Sequence, residues 1–342
     1  MIPTTAQSGT RQGTPPRVLT ITVNPAIDET IRVEKLVPGE VHRASPAHLT
    51  AGGKGINVSA CLSGWGTRTL AAGFLGRNNQ AIFEDHLRRT ETGDLFIRLP
   101  GDTRTNIKVV DGEGTTDINL PGPSLEAEDV RRLERLAGEE LPPEIVMVII
   151  SGSLPWLCPA DLYKNLVRLF KNRGCFVILD ADGQALREAL SSETLPDCIK
   201  PNNKELSRWA GRELSTTEEI AEAALDLCRR GVLLATVSMG ARGVLFAGKD
   251  HIFHAAGEAD CVFGTVGAGD AMVAGIAAAL LEQWDLENPR PWESPVALQR
   301  MARLGTAFAL AKLGSGGGEA PGRSVIEETA EKVAVKELFF PG

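Results

Sequence analysis

Apolar residues along this chain fall into two alternating patterns. Short runs bounded by turn residues read as buried strands: Val18 to Val23, Thr69 to Phe74, Ile145 to Ser151, Cys175 to Asp180, Cys198 to Lys200, Ala235 to Ser238 and Gly243 to Phe246. Stretches of helical period lie between and after them: Ile56 to Ser63, Asn79 to Arg89, Ala127 to Ala137, Ala160 to Asn172, Lys204 to Ala210, Thr217 to Arg230, Ala268 to Leu281 and Pro295 to Leu313. This alternation predicts an α/β fold whose mostly parallel central sheet is covered by helices on both faces.

Two segments break the rhythm. Residues 29–50 and 103–120 are rich in β-branched residues and carry no helical period. They predict hairpins or short strands that form a small separate sheet, a lid over a binding site. One large domain over 17–342 with that lid suits the length of 342 residues. Residues 1–16 are rich in Thr, Gly, Gln and Pro and lack the apolar core of a secretory signal, so a disordered extension is expected. The segment Gly314 to Gly322 reads as a flexible loop.

Composition narrows the function classes. Hydrophobic content of 43% with 23% charged residues is that of a globular domain, and no apolar run is long enough to span a bilayer. The formal net charge of −8 argues against a nucleic-acid binder. Six cysteines without C-x-x-C spacing read as reduced thiols in a cytoplasmic protein, not as a zinc site. An acidic chain that binds anions must gather its cations locally, so the basic residues inside the lid segments and Gly-rich loops carry more information than the total.

The strongest local signal is GTVGAGDA, Gly264 to Ala271, followed by the small-residue stretch MVAGIAAALL. Gly267 and Gly269 allow a tight turn, and the helix that follows points unpaired N–H groups into it, which favours phosphate oxygens. Taken alone, such a turn is more simply a helix capped by Asp270. The small-residue helix shifts the balance, because it is thin enough to pack closely beneath a ligand. No G-x-S-x-G or G-x-x-x-x-G-K-[ST] sequence occurs, which disfavours an α/β-hydrolase and a P-loop kinase. Val23 leads into NPAID, not a Gly-rich turn, which disfavours a dinucleotide enzyme.

TVGAGD with its helix resembles the C-terminal signature of the ribokinase-like carbohydrate kinases, and AGGKGIN (Ala51 to Asn57) resembles their N-terminal one. Five further blocks, in matching order, resemble the branch of 1-phosphofructokinases, tagatose-6-phosphate kinases and minor 6-phosphofructokinases. They are TVNPAID, TRTNIKV, SGSLP, KPNNKEL and VSMGARG, and the likeness covers about residues 17 to 320. It implies a ribokinase-like three-layer domain and ATP-dependent phosphorylation of a sugar phosphate, D-fructose 1-phosphate before tagatose 6-phosphate or fructose 6-phosphate. A silent sugar-phosphate sensor on the same scaffold is disfavoured, because Asp270 and Glu205 are both present.

The resemblance makes Asp270 the catalytic base. An ordinary Asp of pKa about 4 can serve and stays ionised at neutral pH. The amides of Gly267, Ala268 and Gly269 would form an anion hole. Asp28, Gly52, Gly53, Lys54, Asn57, Arg104 and Ser153 fall on the substrate side, with Arg43 as a looser candidate. Lys54, Arg104 and Arg43 would converge on the acceptor's phosphate under the lid, and Lys108 lies one strand face along from Arg104. Lys200, Asn202, Ser238, Gly240, Gly243 and Thr265 fall on the ATP side, and Glu205 would act on Mg2+ through water. Taken alone, Glu205 is a first-turn helix carboxylate, and the Gly240/Gly243 pair is only a hairpin turn. Dependence on K+ is left open. Asp180 and Asp182 flank a strand-to-helix turn and read first as a helix cap, with a substrate-side role as the alternative. In relatives the lids of two subunits pack together, which implies a homodimer, with Ile31, Val33, Ile107 and Val109 as exposed apolar residues there.

Overall fold

A computed structural model of the protein describes residues 17–45, 47–284, 290–315 and 320–339. The expected extension over 1–16 lies outside these residues, as does the middle of the Gly314–Gly322 loop. The main sheet has ten strands among the described residues: β1 (Val18–Thr22), β4 (Thr69–Gly76), β5 (Gly93–Leu99), β8 (Met147–Ser151), β9 (Phe176–Asp180), β10 (Cys198–Ile199), β11 (Leu234–Ser238), β12 (Val244–Ala247), β13 (Ile252–Ala256) and β14 (Ala334–Leu338). Their order is β14-β13-β12-β11-β10-β9-β8-β1-β4-β5. From β11 to β5 every neighbouring pair is parallel, and β12 to β14 continue the sheet antiparallel.

The unbroken apolar runs follow from burial on both faces. Along β1, Val18 packs with Val58 of α1 (Lys54–Trp65) and with α8 (Ala268–Gln283), while Leu19 packs into the opposite core. Along β8, Met147 and Ile149 face the first core, Val148 and Ile150 the second. The first core is closed by α1, α8, α9 (Pro295–Gly314) and α10 (Arg323–Lys332). The second is closed by α3 (Ala127–Arg135), α4 (Leu162–Asn172), α5 (Gly183–Leu190), α6 (Asn203–Ala210) and α7 (Thr217–Arg229). Helix α2 (Ala81–Arg89) packs through Phe83 and Leu87 at the margin near β5.

The two irregular segments form the expected second sheet. It runs β3-β2-β6-β7, from β2 (Ala26–Arg32), β3 (His48–Gly52), β6 (Thr105–Val110) and β7 (Thr115–Asn119). β2 and β6 are parallel, and the outer pairs are antiparallel. The period of two separates its faces. Asp28, Asn106, Lys108, Asp117 and Asn119 stand on the face that lines a cleft. Ile31, Ile107, Val109, Leu49 and Ile118 stand on the other. The expected dimer residues Ile31, Val33, Ile107 and Val109 are half-buried within one chain, and the exposed large apolar residues of this sheet and its flank are Leu49, Ile118, Leu120 and Val41.

Helix α8 is buried along nearly its whole length. Its small side chains answer a neighbouring helix, not a ligand. A Cβ on Gly275 would lie 2.7 Å from the Leu304 carbonyl oxygen and 2.8 Å from Gly305 Cα, both on α9.

Candidate active site

The parallel strands end on one edge of the sheet, where their loops and the lid enclose a cleft of about 450 Å3. Ligands of open α/β sheets bind at this carboxyl edge. Asn24 and Asp28 follow β1, Gly152 and Ser153 follow β8, Asp180 ends β9 and Lys200 follows β10. Gly53, Lys54 and Asn57 enter with the start of α1, and Gly267, Gly269 and Asp270 with the start of α8.

Asp270 lies in the first turn of α8 and is 6% exposed. Asn57 donates from Nδ2 to its Oδ2 at 2.8 Å. Burial pushes the carboxyl pKa up to about 6, and the neighbouring Asp180 adds to the rise. The Asn57 hydrogen bond and the ammonium groups of Lys54 and Lys200 oppose it. This departs from the expectation of an ordinary carboxylate, because sequence position gave no measure of burial. Gly267, in a left-handed conformation with φ 79°, caps the helix. The Ala268 amide leans on the Thr265 carbonyl at 3.4 Å, while the amides of Gly267, Gly269 and Asp270 have no main-chain acceptor among the described residues.

Behind Asp270 lies a charge cluster in which Asp180 and Lys200 are buried and Lys54 is part-exposed. The Asp180 carboxylate takes Lys200 Nζ at 3.2 Å and Lys54 Nζ at 3.4 Å. Burial pulls the Lys54 ammonium down in pKa, but Asp180, Asp270, Glu205 and Asp182 outweigh it, and the net shift is upward. The helix-cap reading of Asp180 is thereby corrected. Asp182 does occupy the N-cap position of α5, but its side chain makes no capping hydrogen bond, and it faces the cleft.

On the lid side, Asp28 accepts from Asn106 Nδ2 at 3.1 Å and pairs with Lys108 Nζ at 3.4 Å. Gly52 is needed beneath it, since a Cβ there would sit 2.6 Å from Asp28 Oδ2. Arg104 donates from Nη1 to Leu120 O at 2.9 Å, from Nε to Pro25 O at 3.3 Å and from Nη2 to Asn24 O at 3.4 Å. It therefore ties the two ends of the 103–120 segment to the loop after β1 and keeps two of its five donors for a ligand. Asn24 in turn donates to Ser153 Oγ at 3.2 Å. Arg43 is not brought here. It lies exposed on the segment between β2 and β3, and Lys108 is the lid cation that lines the cleft with Arg104.

The residues expected on the ATP side lie beyond Lys200. Asn202 caps α6 through the Glu205 amide at 2.9 Å, and Glu205 Oε2 accepts from the Asn202 amide at 2.8 Å. The helix-turn reading of Glu205 is thus real, and it leaves its other oxygen unengaged by any described residue. Asn202 bridges to Ser238 at the end of β11, and Gly240 and Gly243, with φ 62° and 88°, make the turn into β12. Among the described residues no three His, Cys, Asp or Glu side chains stand close enough to cage a metal.

Sequence reasoning missed Asn24 and Asn106, and it ranked Asp180 as a cap. Their places inside NPAID and TRTNIKV are the available signal for the two asparagines. Nothing in sequence marks the approach of Asp180 to two lysines.

The sequence model of the pfkB family carbohydrate kinases matches residues 22–320. The chain belongs to this family. Among curated relatives, the kinase is 41% identical over 308 residues to the 1-phosphofructokinase of Xanthomonas campestris pv. campestris, covering 88% of this chain and 92% of that one. It is 38% identical over 325 residues to the 1-phosphofructokinase of Rhodobacter capsulatus, covering 94% and 98%. Among solved structures, phosphofructokinase-2 from Escherichia coli in complex with potassium superposes with a TM-score of 0.81 at 25% identity, over 92% of this chain and 98% of that one. The ribokinase-like reading of the sequence is borne out.

Proposed function

We propose that this kinase transfers the γ-phosphoryl group of ATP to the free primary hydroxyl of D-fructose 1-phosphate, giving D-fructose 1,6-bisphosphate and ADP. The observation that carries the reading is the buried Asp270 carboxylate, held by Asn57 in the same cleft as Lys54, Arg104, Lys108 and Lys200. Two well-covered relatives bearing the 1-phosphofructokinase name favour this acceptor.

In this reading Asp270 accepts the hydroxyl proton as the oxygen bonds to phosphorus. A base with pKa about 6 is ionised at neutral pH and closer to the operating pH than an ordinary Asp. The transition state is loose, so positioning and charge stabilisation dominate. The free amides of Gly267 and Gly269, with that of Ala268 after a small turn, take the migrating phosphoryl oxygens. Asp28, Gly52, Gly53 and Asn57 hold sugar hydroxyls, with Ser153 beside them. Arg104 and Lys54 take the acceptor's phosphate, and Lys108 supports Asp28.

Lys200, Asn202, Ser238, Gly240, Gly243 and Thr265 hold the nucleotide. Glu205 would hold Mg2+ through water, and the ion would shield the charge of the ATP phosphates. A K+ dependence is proposed from the potassium complex of the Escherichia coli relative and is read by replacing K+ with Na+ in the assay. One kinase domain over 17–342 carries 29–50 and 103–120 as its lid.

Two copies would pair through the exposed outer face of that lid. The six free thiols suit a cytoplasmic setting, and among the described residues no helix is long and apolar enough to cross a membrane.

The deciding experiment is a panel of phosphosugars assayed with ATP and Mg2+. Fructose 1-phosphate should give the highest kcat/KM. Preference for tagatose 6-phosphate or fructose 6-phosphate would change the acceptor and keep the chemistry. Turnover of unphosphorylated fructose at an equal rate would remove the phosphate-binding role of Arg104 and Lys54.

A further inference from the structure

Asp180 is the one carboxylate among the described residues within ion-pair reach of Lys54 or Lys200. It is 2% exposed. Three separate elements bring these groups together. Asp180 ends β9, and residues 179 and 199 are register partners, so Lys200 emerges beside it from β10. Lys54 is the first residue of α1. Oδ1 takes both ammonium groups, and Oδ2 also meets Lys54, at 3.5 Å. Lys54 belongs to the acceptor side of the cleft and Lys200 to the nucleotide side. Two ammonium groups in a confined site repel one another unless a buried anion lies between them.

We propose that Asp180 is a positioning residue for phosphoryl transfer: its shared carboxylate fixes Lys54 and Lys200 at the floor of the cleft, one toward each substrate and both beside Asp270. The inference rests on the reading of Asp270 as the base. Asp180 lines the cleft, and both of its oxygens face the lysines. It acts through them, and through its own charge on Asp270. Removing that like charge leaves Asp270 easier to ionise.

The test compares Asp180→Asn, Asp180→Glu and the unmodified enzyme, assayed with ATP, Mg2+ and the acceptor found best in the panel. Asp180→Asn should lower kcat by about 100-fold or more, in the range seen when a preorganised charge is lost. It should raise KM for both substrates, and its acid limb in kcat/KM should move to lower pH. Asp180→Glu should keep the limb and recover part of the rate. An unmoved limb in a folded Asp180→Asn protein would overturn the inference, because a merely structural carboxylate would behave that way. Full rescue by raised Mg2+ would also overturn it, since the carboxylate would then serve the metal.

Should Asp180→Asn not fold, Lys200→Met carries the test. It removes a cation that eases ionisation of Asp270, so the limb should move to higher pH, and a fixed limb counts against the network. Asp270→Asn separates the two readings. If that variant turns over, the base assignment fails. If it is dead while the limbs of the other variants stay put, only the positioning role fails.

Discussion

Asn57 of the N-terminal motif donates to Asp270 of the C-terminal motif at 2.8 Å, across 213 residues of sequence. One hydrogen bond therefore couples the two signatures that identify the family. It orients the buried carboxylate and favours its charged form. Replacing Asn57 by Ala should let burial and Asp180 raise the Asp270 pKa above about 6. The acid limb of kcat/KM should then move to higher pH, with a loss at pH 7 that is partly regained at pH 8. A pH profile superposable on that of the parent enzyme would show that the bond does not tune the base.

The raised pKa of Asp270 has a cost in stability. The carboxyl moves from its usual 3.8 to about 6 on folding. Between those values the folded chain binds more protons than the unfolded one, so stability falls as pH rises through this window. Above pH 6 the full penalty persists, about 3 kcal/mol at 1.36 kcal/mol per pKa unit. Asp270→Asn should therefore abolish turnover and raise the melting temperature of the ligand-free protein at pH 7. At pH 4 the gain should vanish. Equal melting temperatures at pH 7 would mean that the site relaxes or hydrates enough to erase the penalty.

The local chemistry was legible because the residues that face the cleft cluster in short loops at strand ends. TVGAGD, AGGKGIN and NPAID each mark such an end, and most strands and helices over 18–313 lie within a few residues of their expected places. The losses have physical causes. Helix α10 buries only Ile326 and Ala330, so its apolar stripe is faint. Strand β14 is an edge strand of sequence AVKEL whose identity comes from pairing with β13. Strand β13 carries His254 between apolar residues, and β5 follows α2 with little punctuation. Asp180 looked like a cap because its partners come from α1 and β10, a proximity set by strand order. Arg43 matched only by loose alignment, and the lid register places Lys108 in the cleft instead.

The small-residue helix α8 makes a second point about packing. Gly275 faces the α9 backbone so closely that even one methyl group meets main-chain atoms at 2.7 Å and 2.8 Å. Backbone cannot rotate away as a side chain can. Gly275→Ala should destabilise the protein by about 1–3 kcal/mol. At about 2–4 °C per kcal/mol, calorimetry should register a clear fall in melting temperature. The KM for ATP should change little at temperatures where the variant is folded. An unchanged melting temperature would show that α8 and α9 can separate freely.

The lid carries two opposed faces with different fates. Its polar face closes the cleft through Asp28, Asn106 and Lys108, while Leu49 and Ile118 project from the other face at 52% and 48% exposure. They stand in one row across the sheet, since Glu29 pairs with both Leu49 and Ile107, and Ile107 pairs with Ile118. Apart from Glu29 the row is apolar, and exposed apolar residues on a sheet are a docking surface or an aggregation hazard. A two-fold partner would bury it against its own copy. Ile118→Lys should place two like charges at that contact and shift the protein from dimer to monomer in analytical ultracentrifugation. Because the same sheet positions Asp28, the monomer should also show a higher KM for the sugar phosphate and a nearly unchanged KM for ATP. A parent protein that sediments as a monomer at all concentrations would rule out the lid-to-lid dimer.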